Sequence, residues 1–327
     1  MMPRFAFVRP ESLREAVEHL ASPGARIHAG GTDLLGCLRD GVFEAEKLVG
    51  LSRVKELRGI RKTPDGGLRI GALASIREIA EHTDIRSDYQ GLAQAADEVA
   101  SPQLRNQGTL GGNLCQKPRC WYYRGDFPCL RKGGNKCYAV GGENDFHCIL
   151  GGSRCFIVHP SDTAPALLAL GARVRIAGPG GVREVPLKDL YVPPATDPHR
   201  ETVLEAQEVL VEVLLPPPAA GPAVKSSYRK VRARRAWDFA LAGVALALDL
   251  DGREVKTARV VLSGAAPVPW RSEAAEAALV GKKVTPETAR DAADAAMAGA
   301  RPLRQNAYKL DLFRGLIREE VLKLGAA

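Results

Sequence analysis

The chain has 327 residues, of which 45% are hydrophobic and 26% charged, and its formal net charge is +8. These values are typical of a globular protein and exclude a disordered or collagen-like chain. The length predicts about two domains. The longest uncharged apolar run, residues 240–248, is too short to cross a bilayer. We expect a cytoplasmic protein without a membrane span or a nucleic-acid partner, whose cysteines are thiols or ligands rather than disulfides.

The pattern predicts a mixed first half of short strands and helices. Leu13, Ala16, Val17 and Leu20 form one apolar helix face. Ser75 is placed to cap the next helix. In chain order the predicted elements are a helix at 13–20, strands at 26–29, 49–51 and 68–72, and helices at 76–82 and around 92–99.

The second half continues with strands and ends in helices. The run at 216–218, with Gly221 and Pro222, predicts a linker. Thr285 as N-cap and Pro286 as first residue predict a helix start. In order we expect strands at 156–158, 173–177 and 209–215, a hairpin of 239–248 with 255–263, and helices at 273–279, from 286, and at 303–324.

Two glycine loops, AGGTDLL at 29–35 and GTLGGN at 108–113, each follow apolar sequence. Glycine allows backbone N–H groups to approach an anion closely, so the two loops favour a phosphate-bearing cofactor over ordinary turns. Neither loop fits the G-x-G-x-x-G or the P-loop pattern. A Rossmann site and a Walker nucleotide site are therefore disfavoured.

Six of the seven cysteines lie between positions 115 and 155, in a segment with little periodicity that we interpret as an insertion loop. Only one pair, Cys115 and Cys120, has the C-x₂₋₄-C spacing of the knuckles that zinc sites usually use, and no second pair does, which weakens zinc without excluding it. An iron–sulfur cluster needs four thiolates and can take them from a long loop. Buried free cysteines or a regulatory thiol set are the alternatives. Basic residues that could offset thiolate charge surround the cysteines: Arg119, Arg124, Arg131, Lys132, Lys136 and Arg154.

A phosphate-bearing cofactor beside a metal centre suggests electron transfer. The rival class is a zinc-stabilised nucleic-acid-binding or scaffold protein that uses the basic residues and cysteines without redox chemistry. No hydrolytic constellation is visible, because His28, His147 and His159 are isolated in sequence and are interpreted as structural.

Four segments together resemble one family. AGGTDLL, SPQLRNQGTLGGNLC, HPSDTAPAL and YRKVRARRAWDFALAGVA are similar, in this order, to the FAD-binding medium subunit of molybdenum hydroxylases, the xanthine and carbon monoxide dehydrogenase flavoproteins. The stretch CWYYRGDFPCLRKGGNKC with GGSRC resembles the insertion that holds an additional [4Fe-4S] cluster in the 4-hydroxybenzoyl-CoA reductase β subunit. The aromatic-rich WYYRGDFPC is closer in style to the aldehyde oxidoreductases, and the spacing of its first two ligands is shorter than in the reductases.

The resemblance implies which residues bind the cofactors. Cys155 is preferred over Cys148 as the fourth cluster ligand because it directly precedes the strand into HPSDTA; Cys148 is a spare, and Cys37 and Cys115 are structural. The implied FAD-binding residues are Ala29, Gly30, Gly31, Thr32, Asp33, Leu34, Ser101, Thr109, Gly111, Gly112, Asn113, Asp162, Leu210 and Lys230. The implied cluster ligands are Cys120, Cys129, Cys137 and Cys155.

The implied fold is of the α+β class. It joins an FAD-binding domain of the vanillyl-alcohol-oxidase (PCMH) type, made of two α/β subdomains, to a C-terminal domain like that of the carbon monoxide dehydrogenase flavoprotein, with an antiparallel sheet and helices. The expected boundaries are 1–56 for subdomain 1, 57–218 for subdomain 2 with the insertion at about 116–155, and 223–327 for the C-terminal domain.

The implied function is that of an electron-transfer subunit, an enzyme component without catalytic residues of its own. The expected partners are a large molybdenum-cofactor subunit and a small [2Fe-2S] subunit in a dimer of heterotrimers, with ferredoxin or NAD as external carrier. The favoured complex is of the 4-hydroxybenzoyl-CoA reductase type, and an aldehyde or xanthine oxidoreductase is the alternative.

Overall fold

The computed structural model describes residues 2–218 and 224–326 and has a mixed α+β architecture, as predicted. Its strands are β1 Ala6–Val8, β2 Ala25–His28, β3 Lys47–Gly50, β4 Ile60–Lys62, β5 Leu68–Gly71, β6 Arg173–Gly178, β7 Gly181–Pro186, β8 Val209–Leu215, β9 Val224–Val231, β10 Ala242–Asp251, β11 Glu254–Ser263 and β12 Trp270–Arg271. Its α-helices are α1 Leu13–Leu20, α2 Leu34–Arg39, α3 Ile76–Glu81, α4 Thr83–Asp88, α5 Gln90–Asp97, α6 Pro102–Gln107, α7 Leu110–Leu114, α8 Trp121–Arg124, α9 Thr163–Ala169, α10 Glu273–Leu279, α11 Pro286–Met297 and α12 Lys309–Ala326.

The strands form three sheets. A parallel sheet of order β1-β3-β2 holds the first glycine loop at its edge, directly after β2. A five-stranded antiparallel sheet follows the order β4-β5-β8-β6-β7. A four-stranded antiparallel sheet, β12-β11-β10-β9, contains the predicted hairpin. No helix in the described part of the chain is long and apolar enough to cross a membrane.

Both faces of the four-stranded sheet are buried, because β10 sends alternate side chains into two cores. Ala245 and Ala247 pack into the large core that also contains helices α3, α5 and α9. Val244, Leu246 and Leu248 pack against helices α10–α12 on the other face. The period-2 geometry of a strand explains this division. A third core joins α1 and the parallel sheet to β8.

Local capping signals fix several helix starts as predicted. The hydroxyl of Ser75 accepts the N–H of Glu78, and the Glu78 carboxylate returns a bond to the N–H of Ser75, which completes a capping box. Thr285 caps α11 with Pro286 at its first position. Helix α1 spans the predicted residues 13–20.

The last helix begins later than the predicted residue 303. The side chain of Asn306 accepts the N–H of Leu303 (2.7 Å), so this segment forms a side-chain-supported turn, and α12 begins at Lys309. The insertion at about 116–155, predicted to have little regular structure, contains the one-turn helix α8 and short 3₁₀ turns such as Leu130–Lys132. The strand predicted at 156–158 is wrong: these residues pair with no strand among those that the structure describes and bond to neighbouring loops instead, as in the bond from the Cys148 N–H to the Phe156 carbonyl. Gly221 and Pro222 of the predicted linker lie outside the described residues.

Candidate functional site

A cleft opens between the two glycine loops, with about 750 Å³ of space when the solvent at its mouth is included. The second glycine loop, helix α6, the residue before α9 and the turn after β9 form its walls. Its lining residues include Thr32, Asp33, Ala100, Leu104, Gly108, Thr109, Gly112, Asn113, Gln116, Arg119, Asp162, Trp237, Asp238 and Phe239. The structure therefore brings the polar residues predicted at 32, 33, 109, 113 and 162 onto one concave surface.

The first glycine loop has backbone N–H groups without backbone partners beside this cleft. Within the part of the chain that the structure describes, no backbone N–H of residues 30–33 donates to a backbone carbonyl. Gly31 has φ +72°, in the region where glycine is favoured. A Cβ on Gly30 would lie 2.1 Å from the carbonyl oxygen of Gln107, so only glycine fits between the two loops. Such consecutive free N–H groups are suited to an anion.

Ala29 and Leu34 flank this loop without lining the cleft. Ala29 packs on the core that joins α1 to the parallel sheet, and Leu34 packs on a small cluster around Leu38 and Leu48. Their side chains anchor the loop. Between them Thr32 and Asp33 line the cleft, whereas the predicted Gly30 and Gly31 are not among its lining residues.

Asp33 ties the first glycine loop to the insertion. Its carboxylate oxygen Oδ1 accepts hydrogen bonds from Arg124 (2.7 Å) and lies 3.0 Å from Arg119. Its Oδ2 accepts the backbone N–H of Lys117 (2.7 Å). Arg119 and Arg124, expected to offset thiolate charge, therefore pair with this carboxylate instead.

The second glycine loop is internally bonded. The Thr109 hydroxyl accepts the N–H of Gly112 (3.2 Å) and caps α7, and the Ser101 hydroxyl accepts the N–H of Leu104 (3.4 Å) and caps α6. Asn113 Oδ1 accepts hydrogen bonds from the hydroxyls of Ser161 and Thr163, at 2.5 and 2.7 Å. This loop therefore presents side chains to the cleft rather than a row of free N–H groups.

Gly111 and Leu210 meet below the cleft. A Cβ on Gly111 would lie 3.0 Å from the Cβ of Ala72 and 3.5 Å from a methyl carbon of Leu210. Leu210 is buried in β8 and is not among the lining residues. It supports the second loop from beneath.

Asp162 and Lys230 form a buried ion pair of 2.8 Å at the inner end of the cleft. Their side chains are only 5% and 1% exposed. Tyr228 donates its hydroxyl to the other Asp162 oxygen (2.7 Å), and Lys230 also donates to the carbonyl of Glu98 (3.1 Å). Burial and the Asp162 charge hold the pKa of Tyr228 well above its usual value, so this hydroxyl stays a donor.

Sequence reasoning missed an aromatic wall of the cleft. Trp237 is 66% exposed, has φ +53°, and donates its backbone N–H to the carbonyl of Ala100, whose φ is +45°. The guanidinium of Arg119 lies 5.0 Å from the ring centre of Phe239. The two left-handed non-glycine residues were the signal in the structure; no sequence pattern marks them.

All four predicted cluster cysteines line a second, smaller cavity, and Cys148 is not among its lining residues. The cavity wall is otherwise aromatic and apolar, with two further polar members, Arg131 and His147. Among the described residues no three His, Cys, Asp or Glu side chains are close enough to bind a single metal ion. The four cysteines therefore surround a cavity but do not converge on the position of one metal ion.

The cavity polarises one thiol against another. The neighbouring Cys137 thiol and the Arg131 guanidinium lower the pKa of Cys155 below its ordinary value, and Cys155 and burial raise the pKa of Cys137. Burial raises the pKa of Cys120 to about 11. The side chain of Arg131 is itself buried and bound to Glu201 at 2.7 Å. One cationic group thus faces the thiols from inside the fold.

His147, predicted to be structural and unconnected, is part of this cavity. Its Nε2 lies 3.3 Å from the sulfur of Cys120. Burial and the charge of Lys309 lower the pKa of His147 to about 4, so the ring is neutral at pH 7. Its neighbours Trp121 and Tyr122 stack edge-on and tilted against it.

Two further cysteines do not line this cavity. Cys37 is buried in α2, where it packs in a small apolar cluster with Tyr123 and Cys129, and Cys115 follows α7 beside the large core. Burial raises the pKa of Cys37 to about 11 and of Cys115 to about 12, which keeps both as unreactive thiols.

Comparisons with known proteins identify the same family in both halves of the chain. A family described as the FAD binding domain in molybdopterin dehydrogenase matches residues 3–218, and the CO dehydrogenase flavoprotein C-terminal domain matches residues 226–324. The aldehyde oxidoreductase FAD-binding subunit PaoB of Escherichia coli K12 is 40% identical over 292 residues, which cover 88% of this chain and 87% of PaoB. The carbon monoxide dehydrogenase medium chain of Hydrogenophaga pseudoflava is 30% identical over 303 residues, 92% of this chain and 88% of its own.

Solved structures show the same fold. Carbon monoxide dehydrogenase from Hydrogenophaga pseudoflava, in a form lacking the Mo-pyranopterin moiety, superposes with a TM-score of 0.78 at 28% identity, covering 100% of this chain and 98% of that chain. Quinoline 2-oxidoreductase from Pseudomonas putida 86 gives 0.77 at 28% identity with the same coverage.

Proposed function

Because the chain belongs to the family of FAD-binding subunits of molybdenum-containing dehydrogenases, we propose that it is the flavin and iron–sulfur subunit of an aldehyde oxidoreductase complex. It is an oxidoreductase subunit that binds FAD. The observation that carries the proposal is the grouping of four cysteines around one cavity, in a loop that Asp33 joins to the FAD-binding cleft.

The cleft suits FAD in the charges and spaces it provides. The free N–H groups of residues 30–33 are placed for the pyrophosphate, and Thr32, Thr109 and Asn113 for its hydroxyl groups. The buried pair of Asp162 and Lys230 holds β9 against the start of α9, and Leu210 holds the second loop from below. A bound flavin supplies exchange between two-electron and one-electron carriers. The residues of this chain orient it, and Trp237 and Phe239 border its cleft.

The cysteine cavity suits a [4Fe-4S] cluster better than a single ion. Four thiols from separate turns of one loop surround an apolar space, and such clusters take four cysteine ligands. Cys137 and Cys155 line the same cavity, and the buried Arg131 lowers the pKa of Cys155, which favours the thiolate that an iron ligand requires. We assign Cys120, Cys129, Cys137 and Cys155 as ligands and leave Cys148 outside the set. The zinc-stabilised scaffold alternative loses its basis, since the chain belongs to a flavoprotein family.

We place the substrate chemistry in a partner. Membership of the family supports two partners for this chain, a large molybdenum-cofactor subunit and a small [2Fe-2S] subunit. We propose a dimer of such heterotrimers, with ferredoxin or NAD as external carrier. PaoB, at 40% identity, favours an aldehyde as substrate. We therefore prefer an aldehyde to the 4-hydroxybenzoyl-CoA that the insertion favoured. Reduction of 4-hydroxybenzoyl-CoA and oxidation of xanthine are the competing outcomes of the assay.

One purified sample tests the cofactor assignment. The complex, isolated anaerobically, should contain FAD and no zinc. It should also contain four more irons per heterotrimer than its [2Fe-2S] subunit accounts for. Cys148→Ser should keep these four irons, and Cys155→Ser should lose them, with equal FAD in both. Iron confined to the small subunit in the wild-type complex would overturn the cluster. Colourless, flavin-free protein would contradict the family assignment.

Assays of the same complex separate the substrates. Aromatic and aliphatic aldehydes, xanthine and 4-hydroxybenzoyl-CoA are offered with an artificial one-electron carrier. Turnover of aldehydes alone supports the proposal. Turnover of 4-hydroxybenzoyl-CoA or xanthine instead would replace it by the corresponding alternative.

A further inference from the structure

Lys309 carries a buried charge that the FAD site does not use. It is the first residue of α12, and its relative exposure is 0%. Its ammonium donates to the carbonyl oxygens of Gly264 (2.9 Å) and Phe146 (3.2 Å). Within the described ranges no carboxylate pairs with it, although an isolated buried ammonium is costly.

The surroundings of Lys309 lead to the cysteine cavity. Phe146, whose carbonyl it binds, directly precedes His147, the residue 3.3 Å from Cys120. The neighbouring Asn306 side chain donates to the carbonyls of His147 (3.0 Å) and Cys148 (3.2 Å). The turn before α12 and its first residue therefore hold the back of the cavity wall with three hydrogen bonds.

The same wall is bonded to the chain on both sides of the cavity. Cys148, whose carbonyl Asn306 binds, donates its backbone N–H to the carbonyl of Phe156, the residue directly after the proposed ligand Cys155 (2.9 Å). The ammonium of Lys309 is thus bonded to the backbone one residue before His147, whose ring contacts Cys120.

We propose that the ammonium of Lys309 is a second buried counter-charge of the iron–sulfur cluster, beside Arg131, and raises its reduction potential. The inference rests on the proposed function, since it requires the cluster. Reduction adds one electron, taken from the external donor, to a cluster that already carries the charges of four thiolates. A fixed positive charge in a poorly solvated region stabilises the reduced form more than the oxidised form. Lys309 thus acts on the reduction potential of the cluster and contacts no substrate.

The test is a potentiometric titration of the intact complex, with dithionite as reductant and the electron paramagnetic resonance signal of the reduced cluster as readout. Lys309→Met and Lys309→Gln remove the charge, and Gln keeps a donor for one carbonyl. Both should lower the reduced-to-oxidised ratio at a fixed potential about tenfold, a shift of 59 mV for one electron. Lys309→Arg should stay near the wild type. Lys323→Met removes a charge from the same helix at a side chain 62% exposed and should leave the potential unchanged.

The outcomes separate the two proposals. Unchanged potentials in neutral variants that contain the cluster overturn the role of Lys309 and leave the cluster assignment intact. If both neutral variants lose the cluster, its retention in Lys309→Arg supports the counter-charge, whereas its loss in all three variants shows a packing role and overturns it. A wild-type complex without the extra four irons defeats the proposed function itself.

Discussion

The guanidinium of Arg124 donates to the carboxylate of Asp33 across 2.7 Å, and both side chains are about 15% exposed. This contact joins the last residue of α8, inside the insertion, to the loop that borders the cleft proposed to bind FAD. The position of the glycine loop therefore depends on a segment that follows it by some ninety residues in sequence.

We expect Arg124→Gln to weaken FAD binding. Asp33 would keep Arg119 and the N–H of Lys117 but lose its shortest ionic contact, so a cost of about 1–2 kcal/mol is expected, roughly tenfold in the Kd of FAD. Flavin titration of the deflavinated complex measures it. Arg77→Gln, which breaks an exposed pair with Glu81, is the matched control. Equal Kd values for all three proteins would show that the contact does not hold the loop.

Gly30→Ala should remove FAD where Gly36→Ala does not. The new methyl group at position 30 would lie 2.1 Å from the carbonyl oxygen of Gln107, whereas nothing lies within 4 Å of a Cβ at position 36. The overlap forces the two glycine loops apart at a cost of about 1–3 kcal/mol in the free energy of unfolding. Flavin content and urea unfolding of both variants are the measurements. A fully flavinated, stable Gly30→Ala protein would mean that the loops do not meet there.

Lys230→Met should destabilise the subunit strongly because it leaves the Asp162 carboxylate buried without its cation. Breaking one partner of a buried pair costs about 3–5 kcal/mol in the free energy of unfolding. Tyr228→Phe, which removes one neutral donor from the same carboxylate, should cost about 1–3 kcal/mol. The double variant Lys230→Met, Asp162→Asn should recover part of the loss. Additive single-variant losses in a urea-unfolding cycle would contradict direct coupling.

The stability of the subunit should fall with acidity through His159. Burial beside the ring of Tyr191 lowers the pKa of His159 to about 3, whereas an unfolded histidine titrates near 6.5. Between these values the unfolded chain binds the proton and the folded chain does not, so the contribution is complete above about pH 6.5 and is lost as the pH falls. The slope approaches about 1.4 kcal/mol per pH unit.

Urea unfolding at pH 7 and pH 5 measures this dependence. His159→Phe should reduce the difference between the two conditions by about 2 kcal/mol. His199→Gln, which replaces an exposed histidine, should retain the wild-type difference. An unchanged difference in His159→Phe would assign the acid sensitivity to other groups.

Much of the fold followed from short-range signals. The cap at Ser75, the cap and proline at residues 285–286, and the turn between β10 and β11 act within a few residues, so the sequence displays them. The start of α12 was missed because a side-chain bond from Asn306 competes with the helix, and helical periodicity does not report such competition.

Only part of each site could be predicted from the sequence, for a related reason. The glycines and cysteines were recognised by residue type, since few other residues allow a close backbone approach or bind iron. His147 and Trp237 carry no such mark: one becomes part of the cysteine cavity because the loop folds back over 27 residues, and the other borders the cleft through a left-handed backbone. The direction of the Asp33 carboxylate, toward the insertion, depends on tertiary contacts that no local pattern encodes.

The insertion is fastened at both of its ends, to Asp33 near the start of the chain and to Asn306 and Lys309 near its close. Such a segment cannot be gained or lost in evolution without effects on the rest of the fold. A subunit that gained or lost it would need matching changes at positions far away on either side. Homologous chains without the four cysteines should therefore carry a different side chain where this one has the buried Lys309, and the two features should come and go together.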